Sequence, residues 1–569
     1  MEFGSADLSR GYDVIVLGAG AGGMAAAAVA ASKGLDTLVI EKTAQVGGTT
    51  ALSGGMVWAP GGGETSGRDP VDAATIYLDA VIGPRPGADL RDAFLRHAPE
   101  AIDFFRRNTA VDLVPLAFYP DYYPDLPGAA LGGRVLEPRP FDARELGAAF
   151  CKLRYPLPEF TLFGGMMVAR PDIPHFRRMF RSPRSALRVA RLLLAYGLQR
   201  LSLPRGARLV LGNALAGRLM KSMIDLSVSV ALETETEGLI FEDGRIAGVK
   251  VNGPSGPLSV TARRGVVLAT GGFSHNRDLR AQYLPDLAGT LSAVAPGATG
   301  DGLRLGNDAG GHVPESNAGN AFWVPVSVFK RRNGETAVYP HTVTDRGKPG
   351  MLAVGSDGRR FTNEANSYHE FVTAMLAAHA EHGTVPCHLI CDAISLRRYG
   401  LGAIKPMATR LAPWLNSGYL TKAPDLATLA VEIGVDPAAL EETVSRYNRD
   451  ARSGTDSLFD RGGNAYHRYV GDPENSPNPC MRPVTKPPFY AVRLYPGDLG
   501  TAGGLQTDAT ARVLDAKSRP VPGLYACGND MNSIMAGCYP GPGITLGPAL
   551  VFGYLAAMDL AGNNAGPGG

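Results

Sequence analysis

Near the end of the chain, one short and proline-stiffened stretch carries a tyrosine among glycines, Gly537-Cys-Tyr-Pro-Gly-Pro-Gly543. Pro540 restricts the backbone directly after Tyr539, and Gly543 has no side chain to cover its N–H. A phenol and a backbone N–H on one turn can both donate to a carbonyl oxygen that gains negative charge. The sequence therefore predicts an oxyanion pocket made by Tyr539 and Gly543, with a packed tyrosine in an ordinary loop as the alternative.

A second stretch, 118–128, places Tyr119, Tyr122 and Tyr123 between prolines. Because the prolines prevent a helix, we expect a stiff loop that lines a pocket; exposed aromatic residues of a surface turn are the alternative. The rest of this pocket should be apolar. Its predicted wall residues are Phe322, Trp323 and Ile534, with Ser53 beside them.

The elements that must hold this chemistry begin near the N-terminus. A short apolar run, 14–17, is followed by glycines that fit G-x-G-x-x-G at Gly18, Gly20 and Gly23. An alanine-rich helical segment reaches Ser32, and a second apolar run, 37–40, ends in Glu41. Strand, glycine turn, helix, strand and terminal acid in this order predict a dinucleotide site, with phosphates at the helix N-terminus and ribose hydroxyls on the acid.

FAD fits this site better than NAD, because a glycine- and hydroxyl-rich loop, 45–55, comes directly after Lys42. Its backbone N–H groups can follow a pyrophosphate toward a flavin ring. Two later stretches, 266–273 and 523–530, repeat a strand that ends in glycine or acid. The predicted residues of a non-covalent FAD site are Gly18, Gly20, Ala21, Gly22, Gly23, Glu41, Lys42, Gly48, Thr49, Thr50, Ser53, Gly54, Gly55, Thr270, Gly271, Asp301, Asn529, Asp530, Gly543, Thr545 and Leu546.

Size and composition restrict the remaining possibilities. A chain of 569 residues exceeds one typical core, so we expect two domains. A net charge of +2 gives no general attraction to nucleic acid. The six cysteines include no C-x-x-C, and the histidines show no ligand spacing, so we expect no metal site. Without a signal peptide pattern or a long apolar run, the expected location is cytoplasmic.

The coarse pattern along the chain predicts an α/β fold. Helices are expected over 71–82, 90–108 and 209–222, with a hairpin turning at Asp243-Gly244. Asp425 is a plausible N-cap of a surface helix. We predict a Rossmann-like FAD-binding domain and an inserted α+β catalytic domain, with the bounds 10–276 (FAD-binding, first part), 277–487 (catalytic) and 488–569 (FAD-binding, last part).

The range 170–211 differs in composition from its surroundings. It carries many arginines interleaved with leucines and phenylalanines, and Asp172 is its only acid. The separations of Leu187, Leu194 and Leu198 suit one helical face, and arginines cluster on another. We expect peripheral contact with an anionic membrane, at the cytoplasmic face; a solvated basic helix pair is the alternative.

Taken together, these motifs resemble the fumarate reductase/3-ketosteroid dehydrogenase superfamily. Tyr-Pro-Gly-Pro-Gly at 539–543, Tyr-Pro-Asp-Tyr-Tyr-Pro at 119–124 and Phe-Thr-Asn-Glu-Ala-Asn-Ser-Tyr at 361–368 are similar to the 3-ketosteroid delta-1-dehydrogenases. The resemblance implies a steroid substrate, an external electron acceptor and a C1–C2 double bond in the product. It also implies that Tyr539 and the Gly543 N–H hold the C3 carbonyl and that Tyr368 takes the C2 proton. One tyrosine of the aromatic loop assists Tyr368: the Y-x-x-Y spacing favours Tyr122, with Tyr119 lining the pocket, and Tyr119 and Tyr123 stay open as alternatives for the assisting role.

Three alternatives stay open. A related fumarate-type reductase would clamp its dicarboxylate with arginine and histidine, where this chain offers tyrosines. A delta-4-(5α)-dehydrogenase would be expected to have a serine where Gly541 stands. A non-catalytic flavin-binding membrane adaptor would lack turnover. The sequence does not decide whether a C17 side chain is accepted, which acceptor reoxidises the flavin, or the oligomeric state.

Overall fold

The structure is a computed structural model and describes residues 3–63, 71–254, 256–285 and 291–562. Its strands are β1 Tyr12–Leu17, β2 Thr37–Ile40, β3 Val57–Trp58, β4 Leu113–Pro115, β5 Val135–Pro138, β6 Phe141–Asp142, β7 Arg208–Leu209, β8 Ser229–Ala231, β9 Glu235–Glu242, β10 Arg245–Gly253, β11 Gly256–Leu268, β12 Ala321–Lys330, β13 Thr336–Pro340, β14 Met351–Val354, β15 Cys387–Asp392, β16 Thr421–Ala423, β17 Phe489–Thr501, β18 Arg512–Leu514 and β19 Pro520–Ala526.

The helices alternate with these strands in the first half of the chain and dominate the middle of the second. They are α1 Ala21–Ser32, α2 Val71–Ile82, α3 Ala88–Asn108, α4 Ile173–Arg178, α5 Pro183–Gln199, α6 Leu211–Asp225, α7 Arg277–Tyr283, α8 Asp301–Asp308, α9 Tyr368–His382, α10 Ala393–Tyr399, α11 Ala412–Asn416, α12 Leu426–Ile433, α13 Pro437–Ser453, α14 Ala465–Val470 and α15 Leu546–Gly562. The side chain of Asp425 caps α12, accepting from the Thr428 N–H at 2.7 Å.

The first sheet has the order β18-β19-β11-β1-β2-β8, and its central pairs are parallel. The apolar residues of β1 are buried, and α1 and α15 pack against this sheet. The predicted hairpin forms between β9 and β10, and β10 extends the sheet from β11. This sheet is the Rossmann-like part that positions the glycine turn.

The second sheet has the order β13-β12-β17-β15-β14 and is antiparallel, with β16 beside β17. It carries a separate core around Phe371 and Leu389. The predicted α/β flavoprotein fold is confirmed.

The sequence predicts that the chain returns to the FAD-binding domain at residue 488, directly before β17 begins. This strand pairs in the second sheet. β17 lies between β12 and β15 of the second sheet, and the chain rejoins the first sheet only at β18, from Arg512. Because most residues of β17 are buried, its apolar sequence is compatible with either sheet. Only its partner strands determine to which sheet it belongs.

Candidate functional site

The turn between β1 and α1 is built from glycines with three distinct tasks. Gly18 has φ +101°, and a Cβ there would stand 2.3 Å from the Ala269 carbonyl oxygen. A Cβ on Gly23 would stand 2.0 Å from the Gly18 oxygen, so this glycine allows the helix to pack on the strand. A Cβ on Gly20 would meet nothing within 4 Å, because Gly20 faces a cleft. The N-cap residue Gly20 has no side chain to cap α1, so the N-terminus of this helix faces the cleft and can interact with an anion.

This cleft, of about 400 Å³, continues past the ends of β2 and α8. Glu41 accepts from the Ala19 N–H at 2.9 Å and from the Thr43 N–H at 2.9 Å. Lys42 pairs with Asp301 at 2.6 Å. These contacts hold the acid predicted for the ribose, and the Lys42–Asp301 pair, at the edge of the cleft.

The second glycine loop folds against the first through its hydroxyls. Thr50 accepts from the Ala21 N–H at 3.0 Å, and Thr49 accepts from the Ala295 N–H at 3.1 Å. Ser53 donates to the Thr50 carbonyl at 2.8 Å. Gly48, Gly54 and Gly55 line the same cleft, so backbone groups of two loops face one elongated space.

Beyond these loops the cleft is lined by tyrosines. The Tyr368 hydroxyl donates to the Tyr539 hydroxyl at 2.8 Å. The Tyr122 ring stacks on Tyr539 (centroids 5.7 Å apart, 19° between planes) and meets Tyr368 edge-on at 5.7 Å. All three side chains line the cleft and are buried.

Each of these tyrosines is fixed by its own backbone. Tyr368 opens α9, whose N-cap Ser367 accepts from the Glu370 N–H at 3.2 Å. The Tyr122 N–H donates to the Pro540 carbonyl at 2.9 Å, which ties the aromatic loop to the Tyr539 turn. Buried Asp121 anchors that loop, accepting from Trp58 at 3.0 Å and from Arg134 at 2.8 Å.

Gly543 closes this end of the cleft in a conformation that only glycine adopts easily. Its φ is +94°, and a Cβ would stand 2.5 Å from the Met56 carbonyl oxygen and 2.6 Å from the Trp58 nitrogen. Its carbonyl accepts from the Trp58 N–H at 3.1 Å. The residue is therefore held between β3 and the start of α15, and it lines the same cleft as Tyr539.

Burial controls the ionisation of the three phenols. It raises the pKa of Tyr539 to about 12 and the pKa of Tyr368 well above its ordinary value of about 10. Burial also raises the pKa of Tyr122 strongly. The nearby Tyr122 hydroxyl acts against burial and lowers the pKa of Tyr368. All three phenols are therefore neutral at pH 7 before a ligand enters.

The chain matches the family model described as FAD binding domain over residues 13–546. The chain belongs to this family. A 3-oxosteroid 1-dehydrogenase of Mycolicibacterium smegmatis is 37% identical, covering 97% of this chain and 98% of the relative. A 4-oxocyclohex-2-ene-1-carboxylate 5-dehydrogenase of Sinomonas cyclohexanicum is 40% identical, covering 96% and 93%. The crystal structure of the 3-ketosteroid delta1-dehydrogenase from Sterolibacterium denitrificans with 1,4-androstadiene-3,17-dione matches with a TM-score of 0.91 at 40% identity, covering 97% and 99%.

The resemblance predicted from the sequence is thus confirmed, and with it the oxidoreductase class and the FAD cofactor. The described residues fit FAD. Two glycine loops line the cleft, the N-cap of α1 is a glycine that faces it, and the cleft continues without interruption to the tyrosines.

Most of the predicted FAD residues line the cleft, and two lie just behind it. Gly23 packs against Gly18 as described. Asp530 is fully buried and accepts from the Thr270 hydroxyl at 3.0 Å and the Gly272 N–H at 2.9 Å. Burial raises the pKa of Asp530. Through these hydrogen bonds Asp530 shapes the turn after β11, whereas its neighbour Asn529 faces the cleft. The predicted FAD residues that line the cleft are Gly18, Gly20, Ala21, Gly22, Glu41, Lys42, Gly48, Thr49, Thr50, Ser53, Gly54, Gly55, Thr270, Gly271, Asp301, Asn529, Gly543, Thr545 and Leu546.

The predicted wall residues divide between the cleft and its surroundings. Ser53 and Tyr119 line the cleft, whereas Phe322 packs edge-on against Tyr539 at 5.6 Å and borders, with Ile534, a separate cavity of about 20 Å³. Trp323 lies in the core of the second sheet, away from the cleft, because neighbouring residues of β12 point to opposite faces. The walls not predicted from the sequence include Met56, Phe160, Met167, Arg170 and Val343.

Two residues that the sequence analysis missed touch the tyrosines or act on them. The Tyr466 ring packs on Tyr122 at 4.7 Å, and the hydroxyls of both are buried without a hydrogen-bond partner among the described residues. Arg346 is 2% exposed and donates to backbone carbonyls, among them Glu364 at 3.1 Å and Thr342 at 2.8 Å. Burial raises the pKa of Tyr466, and the Arg346 charge opposes this. A pair of aromatics one helical turn apart, Tyr466 and Tyr469, was the available sequence signal.

Proposed function

We propose that this chain catalyses the FAD-dependent 1,2-dehydrogenation of 3-ketosteroids. The observation that carries the proposal is the Tyr368–Tyr539 hydrogen bond beside Gly543, in one cleft with the dinucleotide loops. Two donors suited to a ketone oxygen and a phenol that could take a proton thereby share one cleft with the loops that would hold a hydride-accepting cofactor.

The roles of the residues follow from their chemistry. The Tyr539 hydroxyl and the Gly543 N–H donate to the C3 carbonyl oxygen, which acidifies the C2–H. Tyr368 takes the C2 proton, with Tyr122 stabilising the phenolate that receives it. Bound FAD supplies the acceptor at N5 for the hydride that leaves C1. The C1–C2 double bond forms as both hydrogens leave.

The ketone also explains why burial of Tyr368 is compatible with its role. The Tyr368 hydroxyl donates a hydrogen bond to the Tyr539 oxygen, so Tyr368 is engaged as a donor while the Tyr539 proton stays available to another acceptor. A bound ketone takes the Tyr539 donor and leaves Tyr368 facing the carbon acid. Proton transfer is then coupled to polarisation of the substrate.

The delta-4-(5α) alternative would be expected to have a serine at position 541. A Cβ on Gly541 would stand 3.2 Å from the Asp121 carboxylate and from the Trp58 ring, so the space beside this residue is narrow. A second candidate with the same chemistry is dehydrogenation of a small cyclic ketone that carries a carboxylate. It is favoured by the 40% identity to the enzyme of that name described above.

Anaerobic addition of 4-androstene-3,17-dione to the yellow protein tests the proposal. We expect the flavin absorbance to bleach and one equivalent of the 1,4-diene to form. Tyr539→Phe, which retains the ring, should bind FAD but bleach about 100- to 1,000-fold more slowly. Intact flavin absorbance in the native protein, with this steroid and with related 3-ketosteroids, would contradict the proposal.

Each turnover leaves two electrons on the cofactor, so we propose that an external acceptor removes them. We also propose a cytoplasmic location, at the membrane face. All six cysteines are free, as is usual in a reducing compartment. None of the helices in the described part of the chain is long and apolar enough to cross a bilayer.

The membrane contact rests on the helix pair α4–α5. Exposed apolar side chains on this pair and its ends include Phe180, Leu187, Leu194, Leu198 and Leu201, between 54% and 84% exposed. Each one buried in lipid would contribute up to about 1.5–3 kcal/mol. The exposed row therefore supplies the larger part of the expected affinity.

The arginines contribute less than their number implies. Arg178 pairs with Glu474, Arg188 and Arg208 pair with Asp172, and Arg205 is buried. The exposed arginines of 170–211 that lie within 4 Å of no carboxylate among the described residues are Arg177, Arg181, Arg184, Arg191 and Arg200. Each contributes about 1 kcal/mol near an anionic surface.

Liposome flotation tests this contact. We expect the protein to float with anionic vesicles and less with neutral ones, and Leu194→Gln with Leu198→Gln to weaken both. Val431→Gln, which changes a 70% exposed residue of α12, is the matched control. Flotation that is absent, or equally lost in the control, would contradict the membrane contact without affecting the dehydrogenase proposal.

A further inference from the structure

The charged side chains of the cleft fall into two groups. Among the described residues, Glu41, Lys42, Arg154, Arg170 and Asp301 line it. Four of them share contacts at the β2 end, through the Lys42–Asp301 pair and through Thr43, which bonds both Glu41 and Arg154. Arg170 is separate, with its guanidinium carbon 5.2 Å from the centre of the Tyr119 ring. Among the described residues that line the cleft, Arg170 is therefore the cation in the part that the tyrosines line.

The hydrogen-bonding capacity of Arg170 is only partly used. Nη1 donates to the Tyr469 hydroxyl at 2.5 Å, and Nε lies 3.7 Å from a Glu137 oxygen. Nη2 contacts the Met56 sulfur at 3.8 Å, a weak acceptor. Met56 and Tyr119 both line the cleft. Nη2 is therefore the guanidinium nitrogen without an oxygen partner among the described residues, and it lies against a residue of the cleft wall.

Resting on the function proposed above, we propose that Arg170 binds a carboxylate on the substrate, remote from the reacting ketone. Nη2 can donate a charge-assisted hydrogen bond to a carboxylate, and because Glu137 lies 3.7 Å from Nε, an incoming carboxylate that displaces it can take the paired N–H···O geometry of Nε and Nη2. Arg170 contacts none of Tyr122, Tyr368 or Tyr539, so the group it binds is not the ketone oxygen. Glu137 competes for the same cation.

The carboxylate has two possible sources. It belongs either to the side chain of a steroid acid or to the ring of a small cyclic ketone. Both present the same oxygens to Arg170, and they differ in the distance from carboxylate to ketone. Testing both substrates separates the sources.

The experiment measures anaerobic flavin bleaching and turnover with 3-oxochol-4-en-24-oic acid, its methyl ester, 4-oxocyclohexanecarboxylate and neutral 4-androstene-3,17-dione. In Arg170→Gln we expect KM for an acid to rise about 10- to 100-fold, the range for a lost hydrogen bond to a charged group. The ester and the neutral steroid should change less than about 3-fold, and kcat should be retained. The exposed Arg139→Gln, paired with Asp112 outside the cleft, is the charge-loss control.

Glu137→Gln supplies a second measurement that does not depend on the folding of the arginine variant. Removing the competing carboxylate should lower KM for the acid and leave KM for the ester unchanged. Arg170→Lys should retain part of the preference for the acid, because the charge stays and the paired geometry is lost.

Equal effects of Arg170→Gln on acid and ester, or no effect on either acid, would overturn the proposal. Failure of the steroid function has a different signature. If only 4-oxocyclohexanecarboxylate bleaches the flavin and Arg170→Gln impairs it, the arginine site stands and the 3-ketosteroid proposal fails.

Discussion

The Tyr122 hydroxyl offers a direct test of how the base is activated. It lies buried beside Tyr368 without a hydrogen-bond partner of its own among the described residues. Tyr122→Phe retains the ring that stacks on Tyr539 and Tyr466, so the change removes a donor and little packing. A hydrogen bond to a charged group contributes about 1.5–3 kcal/mol. The Tyr122 hydroxyl could donate such a bond to the Tyr368 phenolate once it forms. Losing that donor should raise the pKa of Tyr368 by about one to two units and slow flavin reduction about 10- to 100-fold at pH 7.

The direction of each pKa change follows from whether the neighbour stabilises the neutral phenol or the phenolate of Tyr368. Burial raises the pKa of Tyr368 most, Tyr539 raises it further, and the Tyr122 hydroxyl lowers it. Because Tyr368 must lose its proton to act, the rate should increase with pH, up to about tenfold per unit. Tyr122→Phe should move this rising part of the pH–rate profile (the basic limb) to higher pH. Tyr539→Phe should move the limb to lower pH and should greatly reduce the maximum rate.

Anaerobic stopped-flow reduction between about pH 6 and 10.5 measures the limb. Tyr466→Phe is the matched control, since it removes another buried, unpartnered hydroxyl that contacts Tyr122 and not Tyr368. A Tyr122→Phe limb at the native position, with the same loss at every pH, would refute the electrostatic role and leave Tyr122 as a pocket wall.

Four further predictions follow from the site. Tyr368→Phe should retain FAD but reduce it at least about 100-fold more slowly; near-native stopped-flow rates would remove it from the role of base. Gly543→Ala, whose Cβ would stand 2.5 Å from the Met56 oxygen at φ +94°, should lower both Tm and kcat, and a native Tm would contradict the strain argument. Asp121→Ala should cost about 3–5 kcal/mol in urea unfolding because it leaves the Arg134 charge buried; a loss below 1 kcal/mol would show that water replaces the carboxylate. Acid precipitation should release the flavin into the supernatant, and a yellow pellet would indicate a covalent bond.

Local patterns in the sequence were sufficient for much of the first domain. The helix expected over 71–82 is α2 with the same bounds, and the helix expected over 209–222 is α6, Leu211–Asp225. These segments were predictable because periodicity and turn residues act over a few positions. The assignment of β17 to the second sheet was not, because an apolar run is compatible with any partner strand. The exact partners are long-range contacts that the run itself does not encode.

The residues of the tyrosine site also divide into those that local motifs identify and those that only long-range packing brings together. Tyr122, Tyr368 and Tyr539 lie in separate segments, and motif resemblance linked them without geometry. Tyr466 and Arg346 occupy no motif, and they reach the site only because α14 and the 342–346 loop pack beside α9.

The effect of Arg346 on the neighbouring phenols is electrostatic. Arg346 satisfies its guanidinium with carbonyls, so no carboxylate within salt-bridge distance among the described residues cancels its charge. That positive charge acts on buried phenols, where the low dielectric strengthens it. Burial keeps the phenols neutral, and the Arg346 charge opposes the effect of burial on the pKa of Tyr466, which packs against Tyr122. Under the proposed function, Tyr368 takes the C2 proton once a ketone polarises the substrate. The same burial that makes tyrosine a poor base in the free enzyme thus makes its ionisation depend on the bound substrate.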